Sequence, residues 1–162
     1  MVSSTDRLRT TIDAARTRYT RLVLVVGTAG SGKSALLRRL GETLGSPVVN
    51  LGLELSRALI DTPVRRRPVS AADRAADIVR GSGESDACLL DNIEAMFLPE
   101  MRLDPLKLLQ DCARNRVVVA AWPGTSQGDW LAFAQPSHPE FRKYETPDCE
   151  VVEIETLSRG SA

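Results

Sequence analysis

Continuous apolar runs alternate along the chain with stretches in which apolar residues recur every three to four positions. Leu8, Ile12, Ala15 and Tyr19 keep helical spacing and predict a leading helix from Asp6 to Tyr19, with Ser3, Ser4 or Thr5 in place to cap it. "RLVLVV" at 21–26 is apolar after its arginine and rich in β-branched residues, as expected of a central parallel strand covered on both faces. A glycine-rich turn follows, then a helix running to Leu44 and closed by Gly45 and Pro47. "PVVNL" at 47–51 predicts the second strand, 53–60 a helix, and "TPVRRRP" at 62–68 a loop, because prolines bracket it. A helix is predicted from Ala71 to Arg80, a third strand at 87–91, a helix from Pro105 to Arg114, and a fourth strand in "RVVVAA". "CEVVEIE" at 149–155 predicts the fifth strand, and the segment 122–148, which holds the chain's one histidine, reads as irregular. No internal repeat appears. Strands alternating with helices predict one three-layer α/β domain around a mainly parallel five-stranded sheet.

Composition narrows the classes. A chain of 162 residues with 43 % hydrophobic content can bury a core without metal or disulfide support. Basic and acidic residues balance at 21 each, so no global field draws the molecule to nucleic acid or membrane, and any such binding needs a local patch. Cys88, Cys112 and Cys149 share no metal-ligand spacing, and buried free thiols in a reducing compartment are expected. With no apolar signal core and no run of membrane-spanning length, a cytoplasmic protein is expected.

"GTAGSGKS" joins the first strand to its helix and resembles the Walker A loop of P-loop NTPases in the spacing of glycine, lysine and serine. Glycines at 27, 30 and 32 let successive backbone N–H groups turn inward around a phosphate chain, and the following helix adds its positive end. Lys33 is placed to bridge the β- and γ-phosphates, and Ser34 to offer a hydroxyl to Mg2+. The expected ATP-binding set is Gly27, Thr28, Ala29, Gly30, Ser31, Gly32, Lys33, Ser34 and Ala35. A chance glycine turn is the alternative, and the strand–loop–helix context argues against it.

"LLDNIE" at 89–94 ends an apolar strand in an acid. Asp91 takes the place of a Walker B aspartate, which holds magnesium through its water shell. Asn92 stands where many ATP-hydrolysing proteins carry a glutamate. Asparagine can orient water but cannot take its proton, whereas Glu94 can if a short turn swings it back toward the nucleotide. Slow turnover is therefore expected.

The strand predicted between the loop unit and the acid makes the arrangement similar to AAA+ and related additional-strand ATPases. Within that group the blocks "VVGTAGSGKSALLRRL", "VNLGLELSRALI", "LLDNIEAMF", "LDPLKLLQ", "RNRVVVAAWPGT" and "HPEFRKY" resemble the BrxF family, the small P-loop proteins of type III BREX bacteriophage-exclusion systems. The likeness implies an antiviral role beside other BREX proteins. By the AAA+ likeness, Arg142 is the first choice for an arginine finger that completes a neighbour's site in a homo-oligomer, with Lys143 and Arg116 in reserve. Thr125 and Ser126 are weak substitutes for a sensor of the γ-phosphate, and an AAA+-like core without a C-terminal lid is expected.

Arg65, Arg66 and Arg67 form the one dense basic run. A solvated loop is the bland reading; the AAA+ likeness suggests non-specific contact with double-stranded DNA phosphates, since aromatic content is only 4 % and offers little base stacking. Two other function classes stay open: a nucleotide-gated adaptor with negligible turnover, and a small-molecule phosphotransferase.

Overall fold

A computed structural model describes residues 3–83, 85, 87–133, 142–145 and 147–154. The helices are Ser4–Ala15 (α1), Lys33–Leu44 (α2), Leu51–Leu59 (α3), Arg67–Gly81 (α4) and Pro105–Cys112 (α5). The strands are Leu22–Gly27 (β1), Val48–Asn50 (β2), Ala87–Asp91 (β3), Val117–Gln127 (β4), Trp130–Phe133 (β5), Arg142–Glu145 (β6) and Glu150–Glu153 (β7). Residues 138–141 of the arginine-finger block, including His138, and the expected end of the fifth strand at Glu155 lie outside the described residues.

Five strands form the expected parallel sheet, in the order β2-β3-β4-β1-β7. β1 is the pivot. Its residues Leu22–Val26 are buried, and alternate side chains enter opposite layers. Leu22, Leu24 and Val26 pack with Leu51, Leu55 and Leu59 of α3, Ala71 and Ala75 of α4 and Leu109 of α5. Val23 and Val25 pack with Leu8 and Ile12 of α1 and Leu36, Leu37 and Leu40 of α2. A strand covered on both faces has no room for polar alternation, which explains why its sequence reads as a continuous apolar run.

The chain leaves β1 through α2, crosses to β2 at the far edge, and returns through β3 and β4, before β7 closes the other side of β1. A crevice at a point where strand order reverses is where open α/β sheets take ligands. Here that point lies at the C-terminal end of β1.

Two expectations are corrected. The segment 62–68 is not a loop throughout: Val64–Arg66 is a 3-10 turn and α4 already begins at Arg67. Pro68 falls in the first turn of α4, where a helix needs no N–H from it and its fixed φ favours the helix. Within 122–148, the described residues 122–133 and 142–145 are likewise not irregular. β4 runs on past the parallel sheet to Gln127, turns through Gly128 and Asp129, and pairs antiparallel with β5, which pairs with β6. Gly128 has φ 58°, a conformation glycine adopts freely at the first position of a two-residue hairpin. The hairpin is fixed to the core through aromatic contacts. Phe97 stacks on Phe133 with centroids 3.8 Å apart, Trp122 meets Phe97 edge-on at 5.1 Å, and Tyr144 donates its hydroxyl to Asp104 Oδ1 at 3.0 Å.

Candidate functional site

The loop after β1 is shaped by its glycines. Gly30 and Gly32 take φ 77° and 98°, where a side chain is strained, and Gly32 caps α2 without a side-chain hydrogen bond. The first N–H groups of α2 therefore remain directed into the loop, with the positive end of the helix behind them. Gly27 is required for a different reason. A Cβ there would lie 2.4 Å from Ser31 Oγ and 2.6 Å from Ile154 Cγ2, so the loop and the residue after β7 close on bare backbone.

Lys33 is buried, and its Nζ donates to Gly27 O at 2.7 Å and Thr28 O at 2.8 Å. Burial pushes the ammonium's pKa down, while Glu94 and then Asp91 pull it back up. The charge is thus held at the loop by carbonyls and two nearby carboxylates. Ser31 Oγ is buried and has no hydrogen-bond partner among the described residues. An unmatched buried hydroxyl beside a cationic lysine and open helix N–H groups fits a phosphate oxygen. Ser34, in the first turn of α2, is exposed.

Asp91 ends β3, paired in register with Asn50 at the end of β2. One of its oxygens, Oδ1, accepts the backbone N–H of Asn92 at 2.8 Å. A serine hydroxyl and one carboxylate match how magnesium is held beside phosphates, with few protein ligands and retained water. Asn92 adopts φ 57° and sends Nδ2 to Asn50 Oδ1 at 2.8 Å. Asn50 Oδ1 also caps α3 by accepting Leu53 N–H at 3.0 Å. The side chain after Asp91 is therefore spent on joining β3 to the start of α3. Glu94 opens the following 3-10 turn, and its carboxylate raises the Lys33 pKa more than that of Asp91 does.

The remaining sequence candidates separate from this cluster. Arg142 lies on β6 opposite Phe133, in the antiparallel extension and not on the parallel strands that carry the loop. Lys143 stands over the Trp130 ring at 5.2 Å. Arg116 is a structural residue: its guanidinium binds Val79 O, Ser82 Oγ, Ser85 O and Ala87 O, fastening the connection from α4 to β3. Arg65 and Arg66 are exposed, but Arg67 is partly buried and donates Nε to Thr62 O at 3.1 Å, so the basic run does not present three equivalent cations.

Sequence reasoning did not find two features. Asn50 stands directly before a helix, a readable cap signal, but its bond to Asn92 spans 42 positions. Ser126 Oγ donates to Glu153 Oε1 at 2.7 Å across the end of β1, and nothing local announces that pairing.

A phosphate-cradling loop at the switch point of a parallel sheet, with a strand-end acid on β3, defines a P-loop α/β domain. The AAA ATPase domain family model matches residues 3–122, and the chain belongs to that family. It is similar to a "Nucleotide-binding protein" of Sphingopyxis alaskensis (strain DSM 13593 / LMG 18877 / RB2256), with 56 % identity over 94 residues, covering 57 % of this chain and 29 % of that protein. The chain thus spans less than a third of that relative's length. No solved structure matches. Among the described residues no helix is long and apolar enough to cross a membrane.

Proposed function

We propose that this AAA ATPase domain binds Mg-ATP on the Gly27–Ser34 loop and hydrolyses it slowly. The observation that carries the reading is Lys33, buried with its ammonium on the carbonyls of Gly27 and Thr28 beside an unpartnered Ser31 hydroxyl. In this reading phosphate oxygens replace the loop carbonyls as partners of Lys33, while Ser34 and Asp91 hold magnesium, which neutralises phosphate charge. Glu94, the carboxylate felt most by Lys33, orients the attacking water and accepts its proton. The similar protein's printed name, which describes nucleotide binding, supports the first step.

The rest extends the resemblances read from the sequence. The chain acts as a homo-oligomer in which Arg142, carried on the antiparallel extension, reaches a neighbour's nucleotide. The setting is cytoplasmic BREX-type defence against bacteriophage, beside other BREX proteins, with Arg65 and Arg66 on duplex DNA phosphates. Lys33→Ala tests the core of the proposal. It should abolish Mg-ATP binding by titration calorimetry while leaving the circular dichroism spectrum unchanged, and unaltered affinity would refute the site.

A second reading, a nucleotide-gated adaptor with negligible turnover, is favoured by one observation: Asn92 is tied to Asn50 and offers no base. Phosphate release across a protein concentration series separates the two. Turnover that rises with concentration and falls in Arg142→Ala supports the ATPase; nucleotide-dependent assembly without phosphate release supports the adaptor.

A further inference from the structure

β7 closes one side of the parallel sheet, and among the described residues β1 is its one strand neighbour. Alternate residues of such an edge direct N–H and C=O groups away from the sheet, and no hydrogen bond among the described residues engages them. The side chains tell the same story. Val151 and Val152 lie on opposite faces, yet both are only half-buried, whereas their partners on β1, Leu24 and Val25, are fully buried. The edge is also held in place at both ends. Arg18 donates to Asp148 Oδ1 and Glu150 Oε1, each at 2.8 Å, and Ser126 Oγ donates to Glu153 Oε1 at 2.7 Å. A strand fixed in this way loses little freedom when another strand adds to it.

Along this edge runs a groove of 540 Å³, bounded by Val151, Val152 and Glu153 of β7 and by Asp129 and Trp130 of the β4–β5 hairpin. The hairpin has two different faces. Leu131 and Tyr144 turn into the core, while Trp130 is on the outer face with Glu145 directly opposite it on β6 and the Lys143 ammonium 5.2 Å from its ring centre. Asp148 and Glu150 are already paired with Arg18. Asp129, Glu145 and Glu153 against the single cation Lys143 still leave the surroundings of the groove acidic.

We propose that this groove docks an extended basic segment of a partner protein, which adds to β7 as a further strand. Ladder bonds to the free edge attach its backbone, its aliphatic side chains cover Val151 and Val152, and a lysine or arginine meets Trp130, Asp129 and Glu145. Charge chooses this occupant over a second copy of the chain. Two β7 edges paired about a two-fold axis would set Glu150 and Glu153 against each other, and like charges directly opposite are destabilising. No residue lining the groove belongs to the phosphate loop, so the inference stands apart from the nucleotide reading.

Peptide titration tests it. The chain has two tryptophans, and Trp122 is fully buried against Phe97, so a segment in the groove reports through Trp130. An acetylated hexapeptide of alternating Arg and Val should change the Trp130 emission and slow amide hydrogen exchange in β7. The matching peptide of alternating Arg and Pro keeps the charge but cannot extend a ladder, and it should bind roughly tenfold more weakly. Alternating Glu and Val should not bind. Asp129→Lys combined with Glu145→Lys, both at exposed positions, should weaken the Arg–Val peptide by roughly tenfold and leave the circular dichroism spectrum unchanged. The three peptides are compared on the wild-type chain, so the result does not depend on a variant folding. No binding of the Arg–Val peptide, equal affinity of the Arg–Pro peptide, or unchanged exchange in β7 would each overturn strand addition. Exchange in β7 that slows with protein concentration alone would assign the edge to a second copy and overturn the partner segment.

Discussion

Asn92 Nδ2 donates to Asn50 Oδ1 at 2.8 Å, joining the turn after β3 to the cap of α3. Asn92 also holds φ 57°, a left-handed conformation that asparagine tolerates better than most residues with a Cβ. Asn92→Ala should therefore lose a hydrogen bond and gain backbone strain, about 1–2 kcal/mol together. Asn92→Gly should cost less, since it relieves the strain. Urea unfolding midpoints of the two variants check the order.

Turnover follows from the same geometry. Because position 92 faces Asn50 rather than Lys33, Asn92→Glu should not accelerate phosphate release, whereas Glu94→Gln should lower it at least tenfold, within the range of a lost general base. Steady-state phosphate release for the two variants measures both, and a fast Asn92→Glu enzyme would reverse the assignment.

Gly52, in the first turn of α3, approaches the same turn even more closely. A Cβ on it would lie 2.0 Å from the backbone oxygen of Asn92, and backbone cannot swing aside as a side chain does. Gly52→Ala should destabilise by roughly 1–3 kcal/mol, the usual cost of overpacking. Thermal unfolding checks this, with Gly81→Ala as control, because a Cβ there meets nothing within 4 Å.

If duplex DNA is bound through the basic segment, the two exposed cations carry it. Replacing Arg65 and Arg66 by alanine should flatten the slope of log affinity against log salt by about 0.9 for each phosphate no longer neutralised. Arg67→Ala should leave that slope unchanged, since its guanidinium is turned back onto Thr62 O. Fluorescence anisotropy at several salt concentrations reads both outcomes.

The cysteines give a pH prediction. Cys112 and Cys149 are free, and burial pushes each thiol up to about 12 from an ordinary value near 9. Folded protein keeps these protons at a pH where the unfolded chain releases them, so the contribution is fully present below pH 9 and is lost as pH climbs toward 12. Stability measured by urea should fall between these limits, and less steeply in Cys112→Ala. Iodoacetamide at pH 8 should label the native thiols far more slowly than the urea-unfolded ones.

By itself the sequence determined the parts whose physics is local. The run "LVLVV" and the loop "GTAGSGKS" announce a buried strand feeding an anion cradle, since both burial pattern and glycine spacing are read within a few residues. Asp91 at the end of β3 was legible for the same reason. The hairpin at Gly128 and Asp129 carried a local glycine–acid signal, yet its importance depends on β4 serving two sheets at once. Arg67 was misplaced because a proline that starts a helix resembles one that ends a loop until the helix has something to pack on. What only the tertiary structure decided are the pairings between distant residues: Asn92 with Asn50, 42 positions apart, Ser126 with Glu153, 27 apart, and the charges of Glu94 and Asp91 acting on the buried Lys33. Each follows from strand register, which brings β2 beside β3 and β4 and β7 to either side of β1, and register is a property of the packed sheet rather than of any one segment.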